Sequence, residues 1–369
     1  MKVAPPHMGN LHLPLKTLFR ELRVDVVVPP PNSRRTLSLG VQHSPEGLCL
    51  PFKLTLGNFI EALEQGADTL IQAGGRGLCR LGYYAQIQER ILREMGFEFQ
   101  MMTTEVSQNK FVGLMRLFKR LSNNAPWPRI ISAFRFALAK LDAVDDIERQ
   151  VHKTRAVELE KGAAHRIYQQ AVEAIDQAGS HSELRRVKRD FRDRLLAVPA
   201  QPSADPLTVG LIGEFYVVLE PFSNMDVEIE LGKLGVEVKR NVFISNWTKF
   251  SLFLNPFGVD EKKKIHEAAM PYLSRDVGGD GWESVGEKAL HAGHYDGLVH
   301  LAPFTCMPEI IAQNIMPSVK ADIPVLTITC DEQMGKAGMM TRLEAFVDLL
   351  RRRKRRARSL QKATALQSN

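Results

Sequence analysis

The sequence predicts an α/β protein in which two parallel-sheet halves bracket a helical insert. Three observations carry that expectation. Strand-like apolar runs alternate with amphipathic helical patterns through the first hundred residues, the strand signal disappears between about 106 and 197, and the alternation returns from 207 onward. The chain has 369 residues, 44% hydrophobic and 25% charged, which is enough apolar chain for two or three real cores.

Taken in order, "LPLKTLFREL" (13–22) has helical spacing and leads into the β-branched run "VDVVVPPP" (24–31), stopped by three prolines. "FKLTLGNFIEALEQG" (52–66) is apolar at helical intervals and ends on glycine, and "ADTLIQAGG" (67–75) reads as a buried strand closing on paired glycines. "YYAQIQERILREMG" (83–96) is a further helix and "FEFQMM" (97–102) a further strand. In the insert, "KFVGLMRLFKRL", "IISAFRFALAKL", "RIYQQAVEAI" and "ELRRVKRDFRDRLLAV" are amphipathic with a 3.6-residue period, punctuated by "NNAPWP" and "AGSHS". "PAQPSADP" (199–206) has linker composition, after which come "LTVGLIGEFYVV", "MDVEIELGKLG", "VEVKRNVF", a helix near 260–272, "GLVHLA" (297–302), "IPVLTIT" (323–329) and a last helix from about 339. The expected units are therefore 1–105, 106–198, a linker at 199–206, 207–350 and a basic tail at 351–369. No short tandem repeat is present, but both halves are α/β and both carry cysteines near strand exits, as two copies of one fold would.

Composition excludes several classes. No apolar stretch approaches the roughly 20 residues of a membrane span, and the N-terminus lacks a basic region followed by a long apolar one, so the expectation is a cytoplasmic protein without membrane contact. The net charge of +7 is matched by the seven cations of "RRRKRRAR" (351–358), so the basicity belongs to the tail and the body is neutral. With no aromatic residues among those charges, the run reads as a solvated helix end, and nucleic acid is disfavoured as a partner.

The four cysteines, at 49, 79, 306 and 330, form no C-x-x-C pair. In a reducing compartment they are inert core thiols or ligands gathered from distant segments. Cys306 follows "GLVHLA" between Pro303 and Pro308; Cys79 lies in "GGRGLCRLGYY" after a strand, flanked by Arg76 and Arg80; Cys330 ends "IPVLTIT"; and Cys49 sits in "SPEGLCLPFK", a loop feeding a helix whose N-terminus favours a thiolate. Each is either a small hydrophobe closing its loop or a ligand, and three of them, Cys79, Cys306 and Cys330, lie just after strands, where α/β proteins hold cofactors. Three or four thiolates converging from separate loops suit an iron–sulfur cluster better than structural zinc, which uses close ligand pairs.

The segments "PHMGNLHLPLKTLFRELRVDVVVPPPNSRRTLSLGVQHSPEGLCLPFKLTLGNFIEALEQGADTLIQAGGRGLCRLGYY", "VGLIGEFYVVLEPFSN", "YDGLVHLAPFTCMPEIIAQNIMP" and "DEQMGKAGMMTRLEAFVDLL" resemble the D-component family of 2-hydroxyglutaryl-CoA dehydratase, in its acyl-CoA dehydratase activase-related (CoA protein activase) branch. The resemblance runs from about residue 5 to 350 and omits the basic tail. It implies two flavodoxin/Rossmann-like domains holding an iron–sulfur cluster, [4Fe–4S] or double-cubane, through Cys49, Cys79 and Cys306. Cys330 ranks below them, because relatives often carry another residue there. It also implies low-potential electrons supplied by a separate ATP-hydrolysing activase, a homodimer or a related cluster subunit, and delivery to an acyl-CoA-like or other small substrate. The alternative is a non-catalytic cluster-bearing scaffold, electron relay or regulatory partner. No G-x-x-x-x-G-K-[ST] phosphate loop occurs in this chain, which agrees with the ATPase being a separate protein. "GLCR" stands where relatives often show "GPCR".

Beyond the thiols, Glu214 in "GEFY" follows a strand and is either an acid or base near the cluster or a helix cap. Glu309 is either a supporting group for Cys306 or N-terminal helix charge, Arg76 and Arg80 either screen the cluster or are solvated loop charge, and Arg342 and Glu344 read as a structural pair.

Overall fold

Among the described residues of the computed structural model, eight short strands build two four-stranded sheets, ordered β2-β1-β3-β4 and β6-β5-β7-β8, with every neighbouring pair parallel. The structure describes residues 1–74, 78–103, 110–201, 205–245 and 258–367. The first sheet is made of β1 (Lys2–Ala4), β2 (Asp25–Val26), β3 (Thr69–Gln72) and β4 (Gln100–Thr103), linked by α1 (His12–Leu22), α2 (Arg34–His43), α3 (Leu50–Glu64) and α4 (Tyr84–Glu94). The insert consists of α5 (Lys110–Leu121), α6 (Trp127–Val157), α7 (Ala163–Gln177) and α8 (His181–Leu196). The second half carries β5 (Leu207–Gly213), α9 (Phe215–Leu219), α10 (Pro221–Asn224), α11 (Val227–Lys233), β6 (Val236–Arg240), α12 (Gly258–Ala269), α13 (Gly281–His291), β7 (Gly297–Pro303), α14 (Met307–Ile315), β8 (Val325–Cys330) and α15 (Lys336–Gln367).

The 2-1-3-4 order appears twice, so both halves are the flavodoxin/Rossmann-like α/β units the sequence implied. In each sheet the connections diverge between the two central strands, β1/β3 and β5/β7, and open a crevice at the carboxyl ends. All seven residues of β7 are buried, as expected of a parallel strand covered on both faces. Of the β-branched run ahead of the three prolines, Asp25 and Val26 form β2 and the Val27 N–H adds a bond to the Val3 carbonyl (2.8 Å), after which Pro29–Pro31, which cannot donate to a ladder, end the pairing. The basic run is the exposed later part of a helix, as its solvated helix-end reading expects, but not a separate unit at 351–369: it continues α15, a single 32-residue helix. Lys354 and Arg358 of that helix are tied to Asp205 at the end of the linker.

The largest apolar cluster crosses the halves. Met8, Leu50 and Leu54 from the first half and Leu141 from α6 pack with Val209, Leu211, Val217 and Val299 of the second. A buried polar chain joins the same surfaces: His7 N–H donates to Asn58 Oδ1 (3.1 Å), Asn58 to Asn32 Oδ1 (2.9 Å), Asn32 to the Tyr216 hydroxyl (3.0 Å), and that hydroxyl to the His7 carbonyl (3.0 Å). Each polar atom desolvated along this seam gains a partner, which fixes one relative placement of the two sheets. The insert is fastened to the second half by Arg240, 8% exposed, whose guanidinium donates to Glu228 (2.7 Å) and Glu148. Among the described residues no helix is long and apolar enough to cross a membrane.

Candidate functional site

Three of the four cysteines occupy the same local position: each is the residue immediately before a helical turn. Cys49 caps α3, Cys306 caps α14, and Cys79 precedes the short 3-10 turn Arg80–Tyr83. The N–H groups at the start of such elements have no helical acceptor. Those of Phe52, Glu309 and Leu81 approach Cys49, Cys306 and Cys79 closely enough to favour the thiolates, though none closes a full capping hydrogen bond. Proline in the first turn of both α3 and α14 removes a donor that would be unsatisfied there anyway.

The crevice rule brings these positions together. Cys79 follows β3, Cys306 follows β7 and Glu214 follows β5, so all three lie at the divergence points of the two sheets. Arg80 ties the loops: its guanidinium donates to the carbonyl of Gly47, just ahead of Cys49, and to the carbonyl and hydroxyl of Thr305, which precedes Cys306. The charge of Cys49 is felt at both Cys79 and Cys306, and that of Glu214 at all three thiols. The Tyr84 hydroxyl lies 2.7 Å from Cys49 Sγ.

Cys49 and Cys306 are buried and Cys79 is half-buried. Burial pushes the Cys49 thiol up; Tyr84 pulls it back, Glu214 raises it and Arg80 lowers it. Burial also raises Cys79 and Cys306, and in both the carboxylates of the second half add to the rise. Free thiolates are therefore disfavoured here, and a thiophilic cation would supply the missing positive charge.

Glu214 caps α9, accepting the Val217 N–H at 2.9 Å, so the capping role is present. Burial pushes its carboxyl up to about 7; the N–H groups of Val217 and Tyr216 oppose this and Glu309 reinforces it. The turn just before it requires glycine. Gly213 has φ +130, and a Cβ there would lie 2.0 Å from the Leu301 carbonyl oxygen. Glu309, fully buried, accepts from Ser284 (2.8 Å) and bonds His300 (2.7 Å) through Oε2, while its Oε1 finds no partner among the described residues.

A segment the sequence did not mark also builds the site. Gly278, Gly279 and Asp280 wrap over Cys79: Gly278 has φ +76, and a Cβ on it would meet the Cys79 backbone nitrogen at 2.7 Å. Asp280 accepts the Phe215 N–H at 2.9 Å and is held well above the usual carboxylate range, by burial first and then by Glu283, Glu214 and Glu309. The paired glycines of "VGGDGW" were the available signal, but glycine pairs mark turns of every kind.

The remaining expectations fall as follows. Cys330 is the last residue of β8, in register with Pro303, and is completely buried in the core, where desolvation pushes its thiol up to about 12. Arg76 lies outside the described residues. Arg342 donates to the Thr327 carbonyl at 2.5 Å, a backbone anchor in place of the pairing expected with Glu344.

Among the described residues no group of three or more His, Cys, Asp or Glu side chains is placed to hold a single metal ion. Around one ion, metal–sulfur bonds of about 2.3 Å bring thiolates to roughly 3.8 Å of one another. No family model matches the chain, and no curated protein matches it significantly.

Proposed function

We propose that this chain is an iron–sulfur redox protein of the 2-hydroxyacyl-CoA dehydratase type, in which Cys49, Cys79 and Cys306 hold a [4Fe–4S] or double-cubane cluster. In this reading low-potential electrons arrive from a separate ATP-hydrolysing activase and pass to an acyl-CoA-like or other small substrate. The observation that carries the reading is that three thiols, two from one half and one from the other, each stand just before a helical turn, while Arg80 beside Cys79 bonds the loops that deliver Cys49 and Cys306. Neutral caps would satisfy helix ends without thiols; sulfur at all three positions is the chemistry of soft-metal ligation.

Bound there, such a cluster would supply one-electron chemistry. The chain's own residues supply the rest. The N–H groups of Phe52, Leu81 and Glu309 and the Tyr84 hydroxyl face the sulfurs and stabilise negative charge on them. Glu214, with its carboxyl near 7, can hold or release a proton beside the thiols at neutral pH, the property reduction of a carbonyl- or hydroxyl-bearing substrate demands. The polar seam between the halves keeps the ligands from the two sheets in register.

The test is iron and acid-labile sulfide per chain after strictly anaerobic purification and reconstitution. Wild type should carry about four or eight irons per chain or dimer, with loss in Cys49→Ala, Cys79→Ala and Cys306→Ala. A folded wild type that remains metal-free after reconstitution overturns the reading.

A further inference from the structure

Arg80 follows one ligand candidate directly, yet its hydrogen bonds go to the loops of the other two. The Gly47 carbonyl belongs to the turn that delivers Cys49, and the Thr305 carbonyl to the residue that delivers Cys306. Thr305 also has φ +64, a left-handed conformation that a β-branched residue adopts only when its surroundings impose it. The carbonyl and the hydroxyl of this strained residue both accept from the Arg80 guanidinium. Phe304 N–H bonds the Cys330 carbonyl at 2.8 Å and Cys306 N–H bonds the Pro303 carbonyl at 2.9 Å, so the loop is pinned on both sides of Thr305 while Thr305 itself is held from the other half of the molecule.

We propose that Arg80 is the positioning residue of the thiol site: its guanidinium fork holds the Cys49 and Cys306 loops against Cys79 and keeps Thr305 in the left-handed turn that presents Cys306. The planar fork matters, since two carbonyls from separate loops are reached at once and a lysine ammonium on a single stem does not reproduce that geometry. The proposal rests on the iron–sulfur reading for its purpose, but its geometry is testable in metal-free protein.

The experiment measures alkylation of each cysteine by iodoacetamide, resolved by peptide mass spectrometry on reduced, metal-free protein at one pH, together with iron and sulfide content after anaerobic reconstitution. Core-buried Cys330 reports global unfolding. In Arg80→Gln, Cys306 should alkylate about 10-fold faster or more, as expected when a strained loop loses its restraint, with Cys330 unchanged and iron falling below half of wild type. Arg80→Lys should not restore either. Adding Thr305→Gly to Arg80→Gln should return Cys306 protection and iron towards wild type, because glycine adopts φ near +64 without the restraint.

Wild-type alkylation and iron in Arg80→Gln would overturn the proposal, as would Cys330 labelling that rises in step with Cys306. A wild type that takes up no iron, combined with selective exposure of Cys306 in Arg80→Gln, would end the cluster reading and leave Arg80's role standing.

Discussion

The two halves share a strand order and differ in almost everything else. The first sheet has strands of two to four residues, the second strands of five to seven. The first half brings two thiols, Arg80 and the Tyr84 hydroxyl; the second brings one thiol and the carboxyls of Glu214, Asp280 and Glu309. Topology therefore decides where a site lies, at the divergence of the central strands, while each half's own residues decide its charge. A site with the Arg80 cation and donors on one wall and carboxyls on the other exists only while the two halves stay docked.

The sharpest way to break that comparison is at the seam. Glu220 is 3% exposed and its Oε2 accepts from Gly9 N–H at 2.7 Å and meets His7 Nδ1 at 3.2 Å. Burial raises its carboxyl, but His7 and the N–H groups of Gly9 and Phe222 outweigh that and hold it below its ordinary value. Glu220→Ala leaves the buried His7 ring and the half-buried Gly9 N–H of the first half unpaired and should cost about 3–5 kcal/mol in urea unfolding. Hydrogen exchange should show β3 and β5 losing protection together. Loss confined to β5 would mean that the halves are stable independently and that docking contributes little.

The electrostatic asymmetry can be sharpened with pH. Glu214 titrates near 7 in the folded metal-free protein and near 4.5 when unfolded. Between those values the folded state keeps a proton the unfolded state has lost, so this group's contribution to stability falls as pH rises and levels off above about 7. Glu214→Gln removes the penalty. The variant should equal wild type near pH 4 and exceed it at pH 8 by up to about 3 kcal/mol, less the cost of an altered cap at α9. A gain that is independent of pH would show that the carboxyl is not desolvated.

Elements with a full hydrophobic period or a continuous apolar run were legible in the sequence: α3, α4, the insert helices, β3 and β7 all lie close to where the pattern puts them. The elements that escaped have little pattern to show. β1 is three residues long, and α2 buries only Thr36 and Gly40, so its start depends on the Ser33–Thr36 capping box rather than on apolar spacing. The cysteine positions at the strand exits were visible, as was the place of Cys49 at a helix start, but the same capping place for Cys79 was not, since the short turn after it has no periodicity of its own. Arg80's targets are backbone carbonyls, which every residue has, so no spacing could announce them.

Cys330 supplies the mildest contrast, because it tests ligand against core within one half. It lies beside Pro303 in the β7–β8 ladder, and Pro303 is three residues before Cys306, the cap of α14, so its strand-exit position makes it a candidate fourth ligand, ranked below the other three. Burial argues otherwise. Cys330 has no exposed surface and packs in the cluster of Val299, Leu301, Ile328 and Leu343, its thiol donating to the Ile328 carbonyl at 3.8 Å. Cys330→Ala removes one buried sulfur and leaves a cavity of about methyl size, worth about 1 kcal/mol. Cys306→Ala, at the crevice, should cost less stability than that and yet abolish iron retention, whereas Cys330→Ala should keep iron at the wild-type level. Iron lost from a folded Cys330→Ala would move the site inward from the crevice to the end of β8.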